Sequence, residues 1–216
     1  MDLSLYLVTD RALCLGRPLV EVVARAVAGG VTVVQLREKN AGTREMLDLG
    51  RALLALLAPL GVPLIINDRV DVALALGAQG VHLGQSDMPV AEARRLLGPH
   101  MTLGLSIEDM GQLREAEALP AGLVDYYGLS PIFATPTKAE LCTSWGLEGL
   151  AQARAVVAAG SKRPLVAIGG IHAGNAASVL RAGADGLAVV SALCSSPDVE
   201  KSAAVLTGIL ARSAAR

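Results

Sequence analysis

The stretch LIINDRVDVALALGAQGVHL, residues 64–83, decides the fold class because it contains one complete strand–helix–strand unit. The short apolar run Leu64–Asn67 predicts a buried strand, and Val70–Leu76 follows with the apolar spacing of a helix. Gly77 is placed to end that helix in a left-handed cap, and Gly80–Leu83 then predicts a second strand. Strands joined by a returning helix run parallel, so this unit predicts an α/β protein.

The same alternation recurs along the chain, and Ala28-Gly29-Gly30-Val31 and residues 182–187 repeat the glycine pattern that ends a helix. Strands are predicted at Leu5–Thr9, Thr32–Arg37, Leu64–Asn67, Gly80–Leu83, Thr102–Ser106, Val124–Ser130, Leu165–Ile168 and Leu187–Val190. Helices are predicted at Pro18–Ala28, Thr43–Leu57, Val70–Leu76, Pro89–Leu97, Glu108–Ala118, Leu147–Ala159, Ala173–Ala182 and Val199–Ala211. Strict alternation with tight connections favours a single (β/α)8 TIM barrel over the alternative, a doubly wound open sheet. Since no linker interrupts the pattern, we expect one catalytic domain over residues 1–216.

Composition excludes several classes of protein. The hydrophobic fraction is 52% and the mean hydropathy is +0.49, values that fit either a membrane protein or a parallel sheet buried on both faces. The longest apolar helical stretch, Ala52–Leu60, contains Pro59 and is shorter than the ~20 residues of a spanning helix. A net charge of −1 and an aromatic content of 2% give no basis for binding nucleic acid. We therefore expect neither a membrane nor a nucleic-acid partner.

The cellular location is predicted from the first residues and from the cysteines. The chain starts without a basic segment followed by an apolar run, so no signal peptide is expected. Cys14, Cys142 and Cys194 show no paired spacing, as is typical of reduced thiols. Both observations favour a cytoplasmic protein.

The second predicted strand ends in a cationic motif. Active sites of TIM barrels lie at the carboxyl ends of the strands, so polar residues at these positions are candidates for function. In Gln35-Leu36-Arg37-Glu38-Lys39, alternation places Gln35 and Arg37 on one face, and Lys39 follows in the loop. An arginine fork beside a lysine suits phosphate oxygens, although a solvated, charged loop is the alternative.

Two carboxylates follow neighbouring predicted strands. Asp68 comes directly after Asn67, and Asp87 follows the next strand. Together they could hold a magnesium ion whose shell is completed by phosphate and water, or each could cap the helix that follows it. His82 lies within a strand, which favours a packed, hydrogen-bonded histidine over a metal ligand. Ser106 ends the fifth strand, either as a hydroxyl donor or as a cap.

The last three strand ends predict phosphate contacts. The long loop after the sixth strand contains Thr135, Thr137 and Lys138, which could grip a phosphate or pyrophosphate. Gly169-Gly170 and Val190-Ser191 follow the last two strands, where backbone amides form the phosphate site of many barrels. The whole set predicts two phosphorylated ligands or one bisphosphate. No strand lysine indicates a Schiff base, and no nucleophile–base pair is evident.

Taken together, these motifs resemble the thiamine-phosphate synthase family over most of the chain. The resemblance runs from Tyr6-Leu7-Val8-Thr9-Asp10 to Val190-Ser191. Its most specific parts are Gln35-Leu36-Arg37-Glu38-Lys39, Asn67-Asp68, residues 80–87, Thr135-Pro136-Thr137-Lys138 and residues 167–171. It implies a transferase that joins 4-amino-5-hydroxymethyl-2-methylpyrimidine diphosphate to 4-methyl-5-(2-phosphooxyethyl)thiazole, giving thiamine phosphate and pyrophosphate. It also implies a dissociative, magnesium-assisted mechanism in which pyrophosphate leaves first.

The resemblance assigns roles to the candidate residues. The implied contacts to the pyrimidine diphosphate are Gln35, Arg37, Lys39, Asn67, Ser106 and Lys138. The implied magnesium ligands are Asp68 and Asp87, and the implied contacts to the thiazole phosphate are Thr135, Thr137, Gly170, Val190 and Ser191. Arg37, Lys39, Lys138 and Ser106 are expected to be catalytic, the three cations by stabilising charge on the leaving pyrophosphate.

Two other functions remain open at this point. A related thiazole tautomerase would need only the thiazole-phosphate half of the site, and the residue two positions after Ser106 is Glu108 rather than a histidine base. A non-catalytic barrel would bind a phosphorylated metabolite without turnover, and the pair Asp68 and Asp87 argues against it. The sequence leaves the oligomeric state open, a homo-oligomer included.

Overall fold

Eight parallel strands close into a barrel in chain order, which confirms the predicted (β/α)8 fold. The computed structural model of the protein describes residues 1–134 and 144–214. The strands are β1 Leu5–Val8, β2 Val33–Leu36, β3 Leu64–Asn67, β4 Gly80–Leu83, β5 Thr102–Ile107, β6 Tyr126–Leu129, β7 Leu165–Ile168 and β8 Gly186–Val189. Tyr6 on β1 is in register with Val33 on one side and Ala188 on the other, so β1 joins β8 and the sheet has no edge.

A helical layer surrounds the barrel. The helices are α1 Leu19–Ala28, α2 Thr43–Leu57, α3 Val70–Leu76, α4 Val90–Leu97, α5 Met110–Glu117, α6 Gly146–Ala159, α7 Ala176–Arg181, α8 Ser191–Cys194 and α9 Val199–Ala214. Two 3-10 turns, Arg11–Cys14 and Ala58–Leu60, follow β1 and α2. None of the helices in the described ranges is long and apolar enough to cross a membrane.

The predicted elements all occur, with shifts at their ends. The sixth strand begins at Tyr126 rather than Val124, and the Asp125 carboxylate just before it accepts from the backbone N–H of Leu103 at 2.7 Å and from Arg94 at 2.7 Å. The left-handed cap predicted at Gly77 is confirmed by its φ of 65°. At the junction Ala28-Gly29-Gly30-Val31 the positive φ, 103°, occurs at Gly30, whereas Gly29 has a φ of −82°.

Two apolar layers account for the high hydropathy. Inside the barrel, seven buried side chains form one cluster: Tyr6, Val8, Val33, Ile65, Tyr126, Val166 and Ala188. The alternate strand residues, such as Leu5 and Leu7, point outward and pack beneath the helices in a larger core. Each fully buried aliphatic side chain stabilises the fold by about 1.5–3 kcal/mol. A strand that is buried on both faces has no polar face, so the apolar composition follows from the barrel rather than from a membrane.

Candidate active site

A cavity of about 420 Å³ opens at the carboxyl ends of the strands. Every predicted site residue that lies in the described part of the chain lines this cavity: Gln35, Arg37, Lys39, Asn67, Asp68, Asp87, Ser106, Gly170, Val190 and Ser191. Thr135, Thr137 and Lys138 lie outside the described residues. Residues that are far apart in the sequence thus lie together at the carboxyl ends of the strands, where the active sites of TIM barrels are found.

The loop after β2 carries the cations. Gln35 is buried in the barrel, whereas Arg37 is half-buried and Lys39 is exposed at the cavity. The backbone N–H of Arg37 donates to the Thr9 hydroxyl at 3.0 Å, and Thr9 is fully buried, so β1 fixes the start of this loop. Neither Arg37 nor Lys39 forms an ion pair with a described residue. Both charges therefore remain available to an anion in the cavity.

The two carboxylates lie close together opposite these cations. Asp87 is within hydrogen-bond reach of Asp68, and its Oδ2 also accepts from the Gly84 N–H at 2.6 Å. Burial, and secondly the Asp87 carboxylate, raise the pKa of Asp68 to about 6, while Lys39 and Arg37 act in the opposite direction. A divalent cation would relieve the repulsion that the Asp87 carboxylate exerts on ionised Asp68.

Neither aspartate caps a helix, so that alternative is wrong for both. The residues at the cap positions of α3 and α4 are Arg69 and Pro89, and no side chain makes a capping hydrogen bond there. Asp68 instead takes a left-handed backbone conformation with a φ of 63°. This conformation costs an L-residue about 1–2 kcal/mol, and such strain is concentrated at functional sites.

A chain of hydrogen bonds crosses the floor of the cavity. Gln35 Nε2 donates to the Tyr6 hydroxyl at 2.8 Å, and that hydroxyl lies 2.9 Å from the hydroxyl of Tyr126. The Tyr126 hydroxyl lies 2.9 Å from His82 Nδ1, and His82 Nε2 lies 2.9 Å from Ser106 Oγ. The chain thus passes through five strands, β2, β1, β6, β4 and β5, and ends at a hydroxyl that lines the cavity.

The prediction of a packed, hydrogen-bonded His82 is confirmed. Burial lowers the pKa of His82 to about 4, so the imidazole is neutral at physiological pH. The sequence did not reveal that His82 pairs with Ser106, nor that two tyrosines take part. Strand alternation could have identified Tyr6 and Tyr126, because a phenol that points into a barrel needs a polar partner for its hydroxyl.

The turns after β7 and β8 form the opposite wall of the cavity. Gly169 and Gly170 have positive φ angles of 106° and 64°, and a Cβ at Gly169 would lie 2.8 Å from Pro131 Cα. The carbonyl of Gly170 accepts from Asn175 Nδ2 at 2.9 Å, which holds the turn in place. Ser191 begins α8, a short helix that was not predicted because four residues carry no measurable periodicity.

These features define the class of protein: a TIM-barrel enzyme whose strand-end cavity suits phosphorylated small molecules. The chain belongs to the thiamine monophosphate synthase family, whose model matches residues 5–193. It is 61% identical to a thiamine-phosphate synthase from Albidiferax ferrireducens, over 91% of this chain and 86% of that protein. It is 53% identical to a thiamine-phosphate synthase from Azorhizobium caulinodans, over 97% of this chain and 95% of the relative.

A solved structure shares both the fold and the sequence pattern. Thiamine phosphate pyrophosphorylase from Pyrococcus furiosus superposes with a TM-score of 0.87 at 40% identity, covering 98% of this chain and 97% of that protein. These similarities confirm the family predicted from the sequence motifs, and they confirm that the chain is an enzyme.

Proposed function

We propose that the protein joins 4-amino-5-hydroxymethyl-2-methylpyrimidine diphosphate to 4-methyl-5-(2-phosphooxyethyl)thiazole, forming thiamine phosphate and pyrophosphate. One observation carries the proposal: a single cavity is lined by the cations of the β2 loop, by a pair of carboxylates and by the turns after β7 and β8, Gly169-Gly170 and Val190-Ser191. These features would provide two separate places for phosphate groups, as a reaction between two phosphorylated substrates requires. Family membership supports the same reaction.

The residues present fit a magnesium ion at Asp68 and Asp87. Their oxygens are ligands of the kind that magnesium prefers, and their mutual repulsion would be relieved by a cation. No group of three or more candidate metal ligands occurs within residues 1–134 and 144–214, so phosphate and water oxygens would complete the shell. Bound magnesium would supply electrostatic stabilisation of the negative charge on a departing pyrophosphate.

The side chains of this protein would act by electrostatics and positioning. In a dissociative reaction the barrier lies in separating charge onto the leaving group. Arg37 and Lys39 would stabilise that charge, and removal of one such preorganised donor typically costs about 10²–10³ in kcat. Lys138, which lies outside the described residues, would join them by family resemblance. No protein nucleophile is required, and the rest of the acceleration would come from holding the thiazole nitrogen near the reacting carbon.

The second substrate would bind at the opposite wall. Backbone N–H groups near Gly170, Val190 and Ser191 would bind the thiazole phosphate, with Thr135 and Thr137 adding hydroxyls from the loop after β6. Gly170 suits this role because it lines the cavity and has no side chain to block a close approach to the main chain.

A discontinuous assay with both substrates and magnesium tests the proposal. We expect thiamine phosphate and pyrophosphate in equal amounts, and a loss of at least about 100-fold in Asp87→Asn. Asp48→Asn is the matched control because Asp48 is an exposed aspartate on α2 that pairs with Arg51, away from the cavity. If the folded wild-type protein makes no thiamine phosphate, the proposal is wrong.

The same experiment separates the alternatives. A thiazole tautomerase would isomerise the thiazole phosphate alone, with no need for the pyrimidine diphosphate or for magnesium. A non-catalytic barrel would bind a phosphorylated ligand tightly in the presence of a chelator and release it unchanged.

A further inference from the structure

The pairing of Ser106 with His82 resembles a nucleophile with its general base, but the direction of its hydrogen bond decides otherwise. In a nucleophilic pair the imidazole accepts the serine proton through its unprotonated nitrogen. The reverse arrangement, in which the imidazole donates, makes the serine hydroxyl a donor to something else. The positions of the protons along the chain from Gln35 to Ser106 distinguish the two cases.

The direction is set at the Gln35 end. The amide Nε2 of Gln35 can only donate, so the Tyr6 oxygen accepts there. Within the described residues the Tyr6 hydroxyl has one other polar partner, Tyr126, and both tyrosines are about 1% exposed. Leaving a buried hydroxyl proton without an acceptor costs about 1–3 kcal/mol. Tyr6 therefore donates to Tyr126.

Each later step follows from the one before it. Tyr126 already accepts from Tyr6, so its own proton goes to His82 Nδ1, which lies 2.9 Å away. An imidazole nitrogen that accepts is unprotonated, and the proton of the neutral ring is then on Nε2. Nε2 donates to Ser106 Oγ at 2.9 Å, and the serine proton is left to point away from His82. Ser106 lines the cavity, so that proton faces the substrate.

We infer that Tyr126 and His82 are positioning residues that fix the Ser106 hydroxyl as a hydrogen-bond donor toward the substrate, and that His82 is not a general base. The inference rests on the proposed function and deepens it. The substrate must present an acceptor at this point, either a phosphate oxygen or a ring nitrogen of the pyrimidine diphosphate. A site built to donate discriminates strongly against a ligand that also donates there.

Two strand glycines make room for this arrangement. A Cβ at Gly104 would overlap the Tyr126 ring and His82 Nδ1, and a Cβ at Gly128 would lie 2.9 Å from His82 Cε1. Gly104 is in register with both His82 and Tyr126 on the neighbouring strands. The backbone thus leaves space for two rings side by side, whose centroids are 5.5 Å apart.

The first test is the protonation state of His82 in the wild-type protein without substrates. Long-range ¹H–¹⁵N correlation spectra of the imidazole, assigned by comparison with His82→Gln, distinguish the two neutral tautomers and the imidazolium. We expect the tautomer protonated at Nε2. Either the tautomer protonated at Nδ1 or a doubly protonated ring at pH 7 overturns the inference. Because no activity is measured, this result is independent of whether the proposed reaction occurs.

The second test is kinetic coupling. Tyr126→Phe removes the donor to His82 without removing the ring, and we expect a fall of about tenfold or more in kcat with little change in KM. The kcat of Ser106→Ala should fall at least as far. The kcat of the double variant Ser106→Ala with Tyr126→Phe should be no lower than that of Ser106→Ala alone. Independent, multiplicative effects would overturn the inference.

Tyr127→Phe is the matched control for stability. Tyr127 is the next residue on β6, is fully buried, and bonds outside the barrel to Arg163 at 2.7 Å and the Ala116 carbonyl at 3.1 Å. Loss of the Tyr127 hydroxyl should lower the free energy of unfolding, but it should leave kcat, KM and the His82 tautomer unchanged.

Binding to Ser106→Ala identifies the acceptor on the substrate. Magnesium pyrophosphate and the unphosphorylated pyrimidine alcohol serve as separate probes by calorimetry. Weaker binding of the first points to a phosphate oxygen, and weaker binding of the second points to a ring nitrogen. Unchanged affinity for both would contradict a donor role for Ser106.

Discussion

The guanidinium of Arg11 donates to the Glu38 carboxylate at 2.9 Å, and this contact joins the turn after β1 to the cationic loop after β2. Arg11 also contacts Glu45 at 2.6 Å, at the start of α2. The Glu38 side chain is only 8% exposed, and its Oε1 has no hydrogen-bond partner within the described residues. Glu38 lies between Arg37 and Lys39 in the sequence, so this ion pair anchors the loop that presents both cations to the cavity.

We therefore expect Arg11→Ala to reduce stability by about 1 kcal/mol, a modest value because Arg11 is 41% exposed and its charge is screened. The KM for the diphosphate substrate should rise. Burial already raises the pKa of Glu38, and Arg11 holds it down, so the variant raises it further. The stability deficit should be largest at neutral pH and shrink as acid protonates Glu38. Urea unfolding at pH 5 and pH 7.5 measures this difference.

Arg25→Ala is the control for that experiment. Arg25 forms an exposed ion pair with Glu21 on α1, one turn away at 3.2 Å. Its loss should leave the KM unchanged and cost a few tenths of a kcal/mol at most. A rise in KM as large as that of Arg11→Ala would contradict a specific role for the Arg11–Glu38 contact.

The raised pKa of Asp68 predicts that the stability of the metal-free protein also depends on pH. Its pKa rises from the ordinary 3.8 to about 6 on folding, so the folded state retains a proton that the unfolded state has lost. Stability should fall as the pH rises from about 4 to about 6, by about 1–2 kcal/mol after allowance for solvent screening. Asp68→Asn should lack this fall, and magnesium should reverse it in the wild type.

Urea unfolding of both proteins, with magnesium or with a chelator, measures that effect. Asp48→Asn, on the exposed surface of α2, should follow the wild-type pH dependence. If Asp68→Asn also follows it, the raised pKa of Asp68 is not the cause.

The strand-end residues could be predicted from the sequence because one rule places them all. Parallel strands deliver their carboxyl ends to one side, so residues as distant as Arg37 and Ser191 were expected to share a cavity, and they do. Whether Asp68 capped a helix could not be decided in this way, since an aspartate before a helix fits both roles. Its φ of 63° decided it, and a backbone angle cannot be read from residue type.

The hydrogen-bond chain could not be predicted because it depends on how the barrel closes. Tyr6 and Tyr126 are 120 residues apart and lie on strands that are not neighbours, so their hydroxyls meet only across the interior. In the sequence both are aromatic residues of short, mainly apolar strands, which is typical of a core position. Side-chain partners across a barrel are set by strand register and tilt, and short apolar runs do not specify either.

Gly104→Ala should disrupt this chain without removing any of its polar groups. The added methyl group would overlap Tyr126 and His82, so we expect a loss of about 1–3 kcal/mol in stability and a fall in kcat. Gly42→Ala is the control, because Gly42 has a φ of −69° and no neighbour within 4 Å of the new Cβ. Thermal unfolding and steady-state rates measure both effects. If Gly104→Ala has the same unfolding temperature and the same kcat as the wild type, the interior accommodates the methyl group.

Gly170→Ala tests the wall assigned to the thiazole phosphate, and Gly16→Ala isolates the effect on the site. Both glycines have positive φ angles, 64° and 77°, so both substitutions cost about 1–2 kcal/mol in backbone strain. The new Cβ at Gly170 would also lie 2.9 Å from Phe133 Cβ, whereas nothing lies within 4 Å of the one at Gly16. We expect both variants to be less stable, but only Gly170→Ala should raise the KM for the thiazole phosphate, by about tenfold or more. The KM for the pyrimidine diphosphate should change little, because its contacts lie across the cavity. Initial rates measured with each substrate varied in turn check this, and equal KM values for the two variants would remove Gly170 from the binding wall.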